Sequence, residues 1–104
     1  MKVIKCLSED IEHELDLAED YIKRAVKYQM DYPVAAKAYY NQSVNKMNVI
    51  KDLHDAVVSL INSYKVEKGE PPAPMMAIYD YMHERQMSQA AAVKNMQDLY
   101  KSNV

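Results

Sequence analysis

The positions of glycine and proline restrict this chain more than any other feature of its sequence. The only glycine is Gly69, and the four prolines are Pro33 and the three in the EPPAP segment directly after Gly69. These residue types are the strongest breakers of regular structure, so the long segments between them, rich in Ala, Leu, Lys, Glu, Met and Gln, favour helices. The sequence therefore predicts three helices, over about 8–30, 33–66 and 74–101.

Local signals place the ends of these helices. Ser8 can accept a hydrogen bond from a free backbone amide, and the acids Glu9 and Asp10 oppose the positive end of a helix dipole. We therefore expect the first helix to begin near Ser8. Pro33 fits the first turn of the second helix, where no amide hydrogen is needed.

Apolar residues recur at alternating spacings of three and four in each segment, which is the period of a helix with one buried face. No alternation typical of a strand competes with it. The pattern predicts an all-α, antiparallel three-helix bundle in one domain, 1–104, with a long central helix. That helix, 33–66, would be about 50 Å long and would extend beyond the first. Because part of its stripe then lacks a partner, we expect a two-fold homodimer.

Charge and composition argue against several classes of protein. There are 13 basic and 15 acidic residues, interleaved along the chain, so neither a nucleic-acid groove nor an anionic membrane surface is indicated. No apolar run is long enough for a signal peptide or a membrane span. Cys6 is the only cysteine, which is typical of a reduced thiol and predicts a cytoplasmic protein. Nine Tyr and eight Met, without Phe or Trp, suit an adaptable interior or an interface.

Four residues could bind a metal inside such a bundle. Glu14 lies on the inner edge of the first helix, His54 falls in the apolar stripe of the second, and His83 lies at the core margin of the third beside Glu84. Nitrogen and oxygen ligands of this kind would accept iron, manganese or zinc. In the competing interpretation, the acids pair with Lys or Arg at the rim and the histidines bond to tyrosine hydroxyls, so that no cofactor is bound.

The sequence offers little for other chemistry. No Glu-x-x-His pair is present, although Asp10 and His13, and Asp80 and His83, have a carboxylate three residues before a histidine. Such spacing arises often by chance in a chain this acidic. None of the serines lies in a nucleophile elbow, and a single glycine excludes a phosphate-binding loop. A catalytic role is therefore not indicated.

The pattern resembles a known family over nearly the whole chain. The segments IEHELDLAEDYIKRAVKY, AAKAYYNQSVNKMNVIKDLHDAVVSLI and MMAIYDYMHERQMSQAAAVKNMQDLY resemble the small ferritin-like helical proteins of phages and prophages of Gram-positive bacteria. The resemblance implies that Glu14 is an inward acid and that His54 and His83 match family histidines. Lys46 and Val49 stand where it implies an acid and a histidine, so the metal-binding pair of the second helix is missing.

Two hypotheses about function follow. The first is a small, non-catalytic interaction or structural module, dimeric and related to phages or prophages, that binds itself or another protein. The second is a ferritin-like metal-binding protein with a degenerate site formed by the four residues above.

Overall fold

A computed structural model describes residues 2–104 and shows three helices in that range, with no strand. They are α1 (Lys2–Tyr28), α2 (Pro33–Lys68) and α3 (Ala73–Ser102). The helices run antiparallel in an elongated bundle of 55 × 19 × 18 Å. The predicted all-α three-helix bundle is confirmed.

The first helix starts earlier than the sequence signals suggested. α1 begins at Lys2 rather than near Ser8, and Ser8 is a buried residue inside the helix. The reason is Ile4, which is fully buried and continues the same apolar face by one turn. Packing of an amphipathic face contributes more to a helix than a cap does, and it decides the conformation here.

The other helix ends lie within two residues of their predicted positions. α2 continues to Lys68 and stops at Gly69, whose φ of 78° lies in a region that favours glycine. α3 starts at Ala73, directly before Pro74. Proline is tolerated in the first turn of a helix because no hydrogen-bonded amide is required there.

The centre of the bundle is α1, although α2 is the longest helix. α1 packs extensively along α2 and also against α3, whereas α2 and α3 contact each other little. Its buried residues recur every three or four positions and form one continuous face: Ile4, Ser8, Ile11, Leu15, Ala18, Ile22 and Ala25.

The buried core is concentrated toward the turn between α1 and α2. One cluster joins Ala18, Ile22 and Ala25 of α1 to the other two helices. A smaller cluster joins Ile11 and Leu15 to α2. Alanine on α1 lets the neighbouring backbones approach closely. The other buried members of the first cluster are Ala36 of α2 and Val93 and Tyr100 of α3.

Polar side chains also connect the helices. The fully buried Ser43 donates a hydrogen bond of 2.8 Å from Oγ to the carbonyl of Ala18, and it accepts one of 3.0 Å from Nε2 of Gln97. Gln86, buried in α3, donates to the carbonyl of Ser8 at 3.3 Å. These bonds satisfy buried polar atoms, and Ser43 thereby ties all three helices together.

The opposite end of the bundle is less well covered. No residue of α2 from 51 to 68 is buried, and neither is any residue of α3 from 73 to 85. The apolar side chains there are half-buried, and we call them the open face: Leu53, Ala56, Val57, Leu60, Ile61 and Tyr64 of α2, with Met75, Met76, Tyr79 and Met82 of α3.

Replacement of Ser43 by Ala should lower the free energy of unfolding by about 1 kcal/mol, because it removes one hydrogen bond and leaves the Gln97 amide without its acceptor. Urea denaturation followed by circular dichroism measures the change. Ser88→Ala, at an exposed position of α3, is the matched control and should stay within about 0.5 kcal/mol of the parent chain. Equal effects of the two substitutions would contradict this role of Ser43.

Candidate functional site

Two of the predicted site residues meet across the bundle. His54 of α2 and His83 of α3 point toward each other, with their Nε2 atoms 3.2 Å apart. The ring centroids are 5.2 Å apart and the ring planes differ by 27°. The centroids are thus 2.0 Å farther apart than the two Nε2 atoms, which is nearly the sum of the two ring radii. Each nitrogen therefore lies on the side of its ring that faces the other ring, and the imidazoles meet edge to edge.

The antiparallel register of the helices produces this contact. Ser43 and Gln97 fix α2 against α3 at one level, and Tyr40 stacks on Tyr100 a turn away, with ring centroids 4.6 Å apart. About three turns farther along α2 and about four turns farther along α3, His54 comes level with His83. The two helices are otherwise in little contact, so the histidine pair is one of the few direct links between them.

Apolar cavities lie on both sides of the histidine pair. One, of about 140 Å³, is lined by both histidines together with residues of the open face such as Ile61 and Met76. The other, of about 190 Å³, is lined by both histidines and by core residues such as Leu15 and Ile50. His54 is half-buried between the cavities, whereas His83 is exposed to solvent.

The hydrogen-bond chemistry of the pair is simple. A neutral imidazole has one N–H donor and one lone-pair acceptor, and the tautomer decides which nitrogen has which role. In the observed geometry one Nε2–H donates and the opposite Nε2 accepts, which requires at least one neutral ring. The contact therefore places two ring nitrogens, one that carries a hydrogen and one with a free lone pair, in the same small region of space.

Glu14, the third predicted ligand, lies elsewhere and has a different partner. Its Oε2 atom is 3.2 Å from the Lys46 ammonium. The ammonium does not meet hydrogen-bond geometry, so among residues 2–104 this buried oxygen has a charged neighbour but no hydrogen-bond partner. Lys46 is the residue that stands where the family resemblance implies an acid. The pairing is the one expected if Glu14 does not bind a metal.

Glu84, the fourth predicted ligand, is exposed on α3, and so is His13 on α1. The part of the chain that the structure describes contains no group of three or more His, Cys, Asp or Glu residues able to hold a metal ion. The structure thus brings together His54 and His83 from the predicted set of four, and it does not bring Glu14 or Glu84 to them.

The sequence predicts His54 and His83 either as ligands of one metal site or as partners of tyrosine hydroxyls, and it does not predict a direct contact between the two imidazoles. Each of the two residues falls on or beside an apolar stripe of its helix. What the sequence lacks is the register between α2 and α3, which depends on their separate packing against α1. The signal that could have suggested the contact is a histidine in or beside the apolar face of each of two antiparallel helices.

Within residues 2–104, none of the helices combines the length and the apolar character that a membrane crossing requires. Comparison with protein-family models, with curated proteins and with solved structures finds no match to this chain. The resemblance to ferritin-like phage proteins therefore stays a prediction.

Lys46→Met should lower the free energy of unfolding by about 1–3 kcal/mol, because it leaves the buried oxygen of Glu14 without its charged neighbour. Adding Glu14→Gln to the same chain should recover most of the loss, since the neutral amide costs less to bury. Urea denaturation of the two single variants and the double variant gives the coupling between the residues.

Lys23→Met provides the control for that experiment. Lys23 pairs with Glu19 at 3.7 Å on the surface of α1, and both side chains are more exposed than those of Glu14 and Lys46. Exposed pairs contribute about 0–1 kcal/mol, so this substitution should have the smaller effect. If Lys23→Met and Lys46→Met destabilise the chain equally, the interior pair has no special role.

Proposed function

We propose that this chain is a small, non-catalytic interaction module that forms a homodimer through its open face. The observation that carries the proposal is the uneven burial of the bundle. Toward the α1–α2 turn, α2 and α3 contribute the buried residues Ala36, Val93 and Tyr100 to the core, whereas neither helix has a buried residue from 51 to 68 of α2 or from 73 to 85 of α3. A contiguous apolar surface that remains exposed and has a polar rim is a mark of a protein interaction site.

The open face is continuous across the two helices. Val57, Ile61, Met76 and Tyr79 line one shared cavity. A second groove of about 460 Å³ lies between Ile78 and Met82 of α3 and charged residues of α1 such as Lys5. Exposed apolar residues adjoin both, with Val58 at 44% and Ile78 at 60% exposure. Half of the ten open-face residues are Met or Tyr, which adapt well to a partner surface.

A second copy of the chain is the occupant that the surrounding charges favour. Lys65 and Glu70 pair with each other near the end of α2, and Lys5 pairs with Glu9 on the neighbouring surface of α1. These charges are of mixed sign and largely neutralise one another. A partner of one strong charge, such as nucleic acid, therefore finds no complementary surface, whereas a copy related by a two-fold axis can cover apolar surface with apolar surface.

The size of such an interface is reasonable for this molecule. A standard interface removes roughly 800 Å² of accessible surface from each partner. The chain has an accessible surface of 6962 Å², so a little over a tenth of it would be covered. Two helices of the open face on each copy would together form a four-helix contact, which is the packing of a helical bundle.

The alternative function, a four-ligand ferritin-like metal site, is less well supported. Glu14 lies beside Lys46, and Glu84 points to solvent. A phage or prophage context rests only on the resemblance of the sequence and remains a prediction.

Light scattering should give twice the chain mass of 12.0 kDa for the purified protein at micromolar concentration. Val58→Glu and Ile78→Glu should each shift the species to a monomer, because a charge would then have to be desolvated in the interface. Circular dichroism and thermal melts should show that the variants stay folded, since both positions are exposed.

Val34→Glu is the control, because Val34 is 85% exposed at the far end of α2. This variant should keep the dimer mass. A mass of one chain at every concentration tested would show that the open face does not bind a second copy. A dimer that Val58→Glu and Ile78→Glu leave intact would place the interface elsewhere and also contradict the proposal.

A further inference from the structure

We propose that His54 and His83 form a two-histidine site for a nitrogen-preferring divalent transition-metal ion, of which Zn²⁺ and Cu²⁺ are the best candidates. The proposal rests on the geometry of the imidazole pair and does not depend on the dimer.

The separation of the two nitrogens fits a shared metal ion. Zn–N bonds of 2.0–2.1 Å that meet at a tetrahedral angle place the two nitrogens about 3.3 Å apart. The Nε2 atoms of His54 and His83 are 3.2 Å apart. The pair therefore needs almost no change in nitrogen separation to bind one ion, and a small rotation of each ring aims both lone pairs at it.

The positions of the rings also suit chelation. The imidazoles meet through their Nε2 edges, so both ligand atoms lie close together between α2 and α3. Each residue belongs to a different helix, and each helix is fixed independently against α1. Ligands held on two rigid elements lose little conformational freedom on binding, which favours chelation over binding to a single exposed histidine.

The ligand types select the class of metal. Imidazole nitrogen suits Zn²⁺, Cu²⁺ and Ni²⁺, whereas Mg²⁺, Ca²⁺ and Mn²⁺ prefer oxygen ligands. No third His, Cys, Asp or Glu joins the pair within residues 2–104, so water completes the coordination. Asp80, one turn before His83, lines the same cavity and adds a negative charge to the surroundings of the ion.

Binding of a metal ion changes the tautomer of one ring. In the neutral pair, one Nε2 carries the hydrogen that forms the observed contact. Coordination needs the lone pairs of both Nε2 atoms, so that hydrogen is released to water while Nδ1 of the same ring takes one up. The ring changes tautomer, and no net proton leaves the pair.

A bound ion would connect the two helices that contact each other least. Since the unfolded chain does not hold the histidines together, the ion should bind the folded state more tightly and stabilise it. The protein without a tag should therefore melt at a higher temperature in a tenfold molar excess of Zn²⁺, by about 4 °C or more, and should not respond to Mg²⁺.

Three histidines in one chain supply a matched set of variants. His83→Ala removes one ligand at an exposed position and should abolish the Zn²⁺-dependent shift without unfolding the protein. His54→Leu, which places an apolar side chain between two apolar cavities, should abolish it as well. His13→Ala removes an exposed histidine from α1, and this variant should keep the full shift.

Nuclear magnetic resonance identifies the ligands directly. Substoichiometric Cu²⁺, which is paramagnetic, should broaden the imidazole signals of His54 and His83 and leave those of His13 sharp. Titration calorimetry with Zn²⁺ should give one ion per chain. Wild-type protein that shows neither a melting shift nor broadening, or a His83→Ala variant that responds as strongly as the wild type, would overturn the proposal. Loss of the response in His13→Ala would overturn it too.

Discussion

Burial of one face of α1 is the constraint on which the rest of this structure depends. Seven residues of that helix are buried, whereas α2 and α3 bury only three each. The two longer helices therefore gain most of their apolar contact from the shortest one. Their positions are set by how each fits against α1, where alanines such as Ala18 and Ala25 allow close approach. Contact between α2 and α3 follows from this arrangement and does not determine it.

The links between α2 and α3 are accordingly few and partly polar. They include the Ser43–Gln97 hydrogen bond, the Tyr40–Tyr100 stack and the His54–His83 contact. Polar contacts of this kind contribute modest stability, but they are directional and so fix the register of the two helices. The line of contact between α2 and α3 is here called the seam. The histidine pair lies where the seam passes from the buried core to the open face. Cavities lie on both sides of the pair because the apolar side chains around it do not fill the space between the helices.

The uneven burial connects the two proposals without making either depend on the other. Packing against α1 buries residues of α2 and α3 toward the α1–α2 turn and leaves the Met and Tyr side chains of the open face half-buried at the other end. The proposed dimer would cover that surface from outside, and the proposed metal ion would join α2 to α3 from within the seam. The Glu14–Lys46 pair shows how the same bundle treats an interior carboxylate, since a lysine provides the positive charge beside it.

The sequence by itself determined that the chain is helical, how many helices it has and nearly where they end, because the breaks at Pro33 and at 69–74 and the helical period are local properties. Local reasoning failed at Ser8, where burial of Ile4 extends the helix past a cap signal. The sequence also selected His54 and His83 as unusual residues on apolar stripes. Only the tertiary structure decided that these two meet while Glu14 pairs with Lys46. The physical reason is that the contact depends on the register of α2 against α3, which is fixed by many packing contacts with α1 and not by any local pattern.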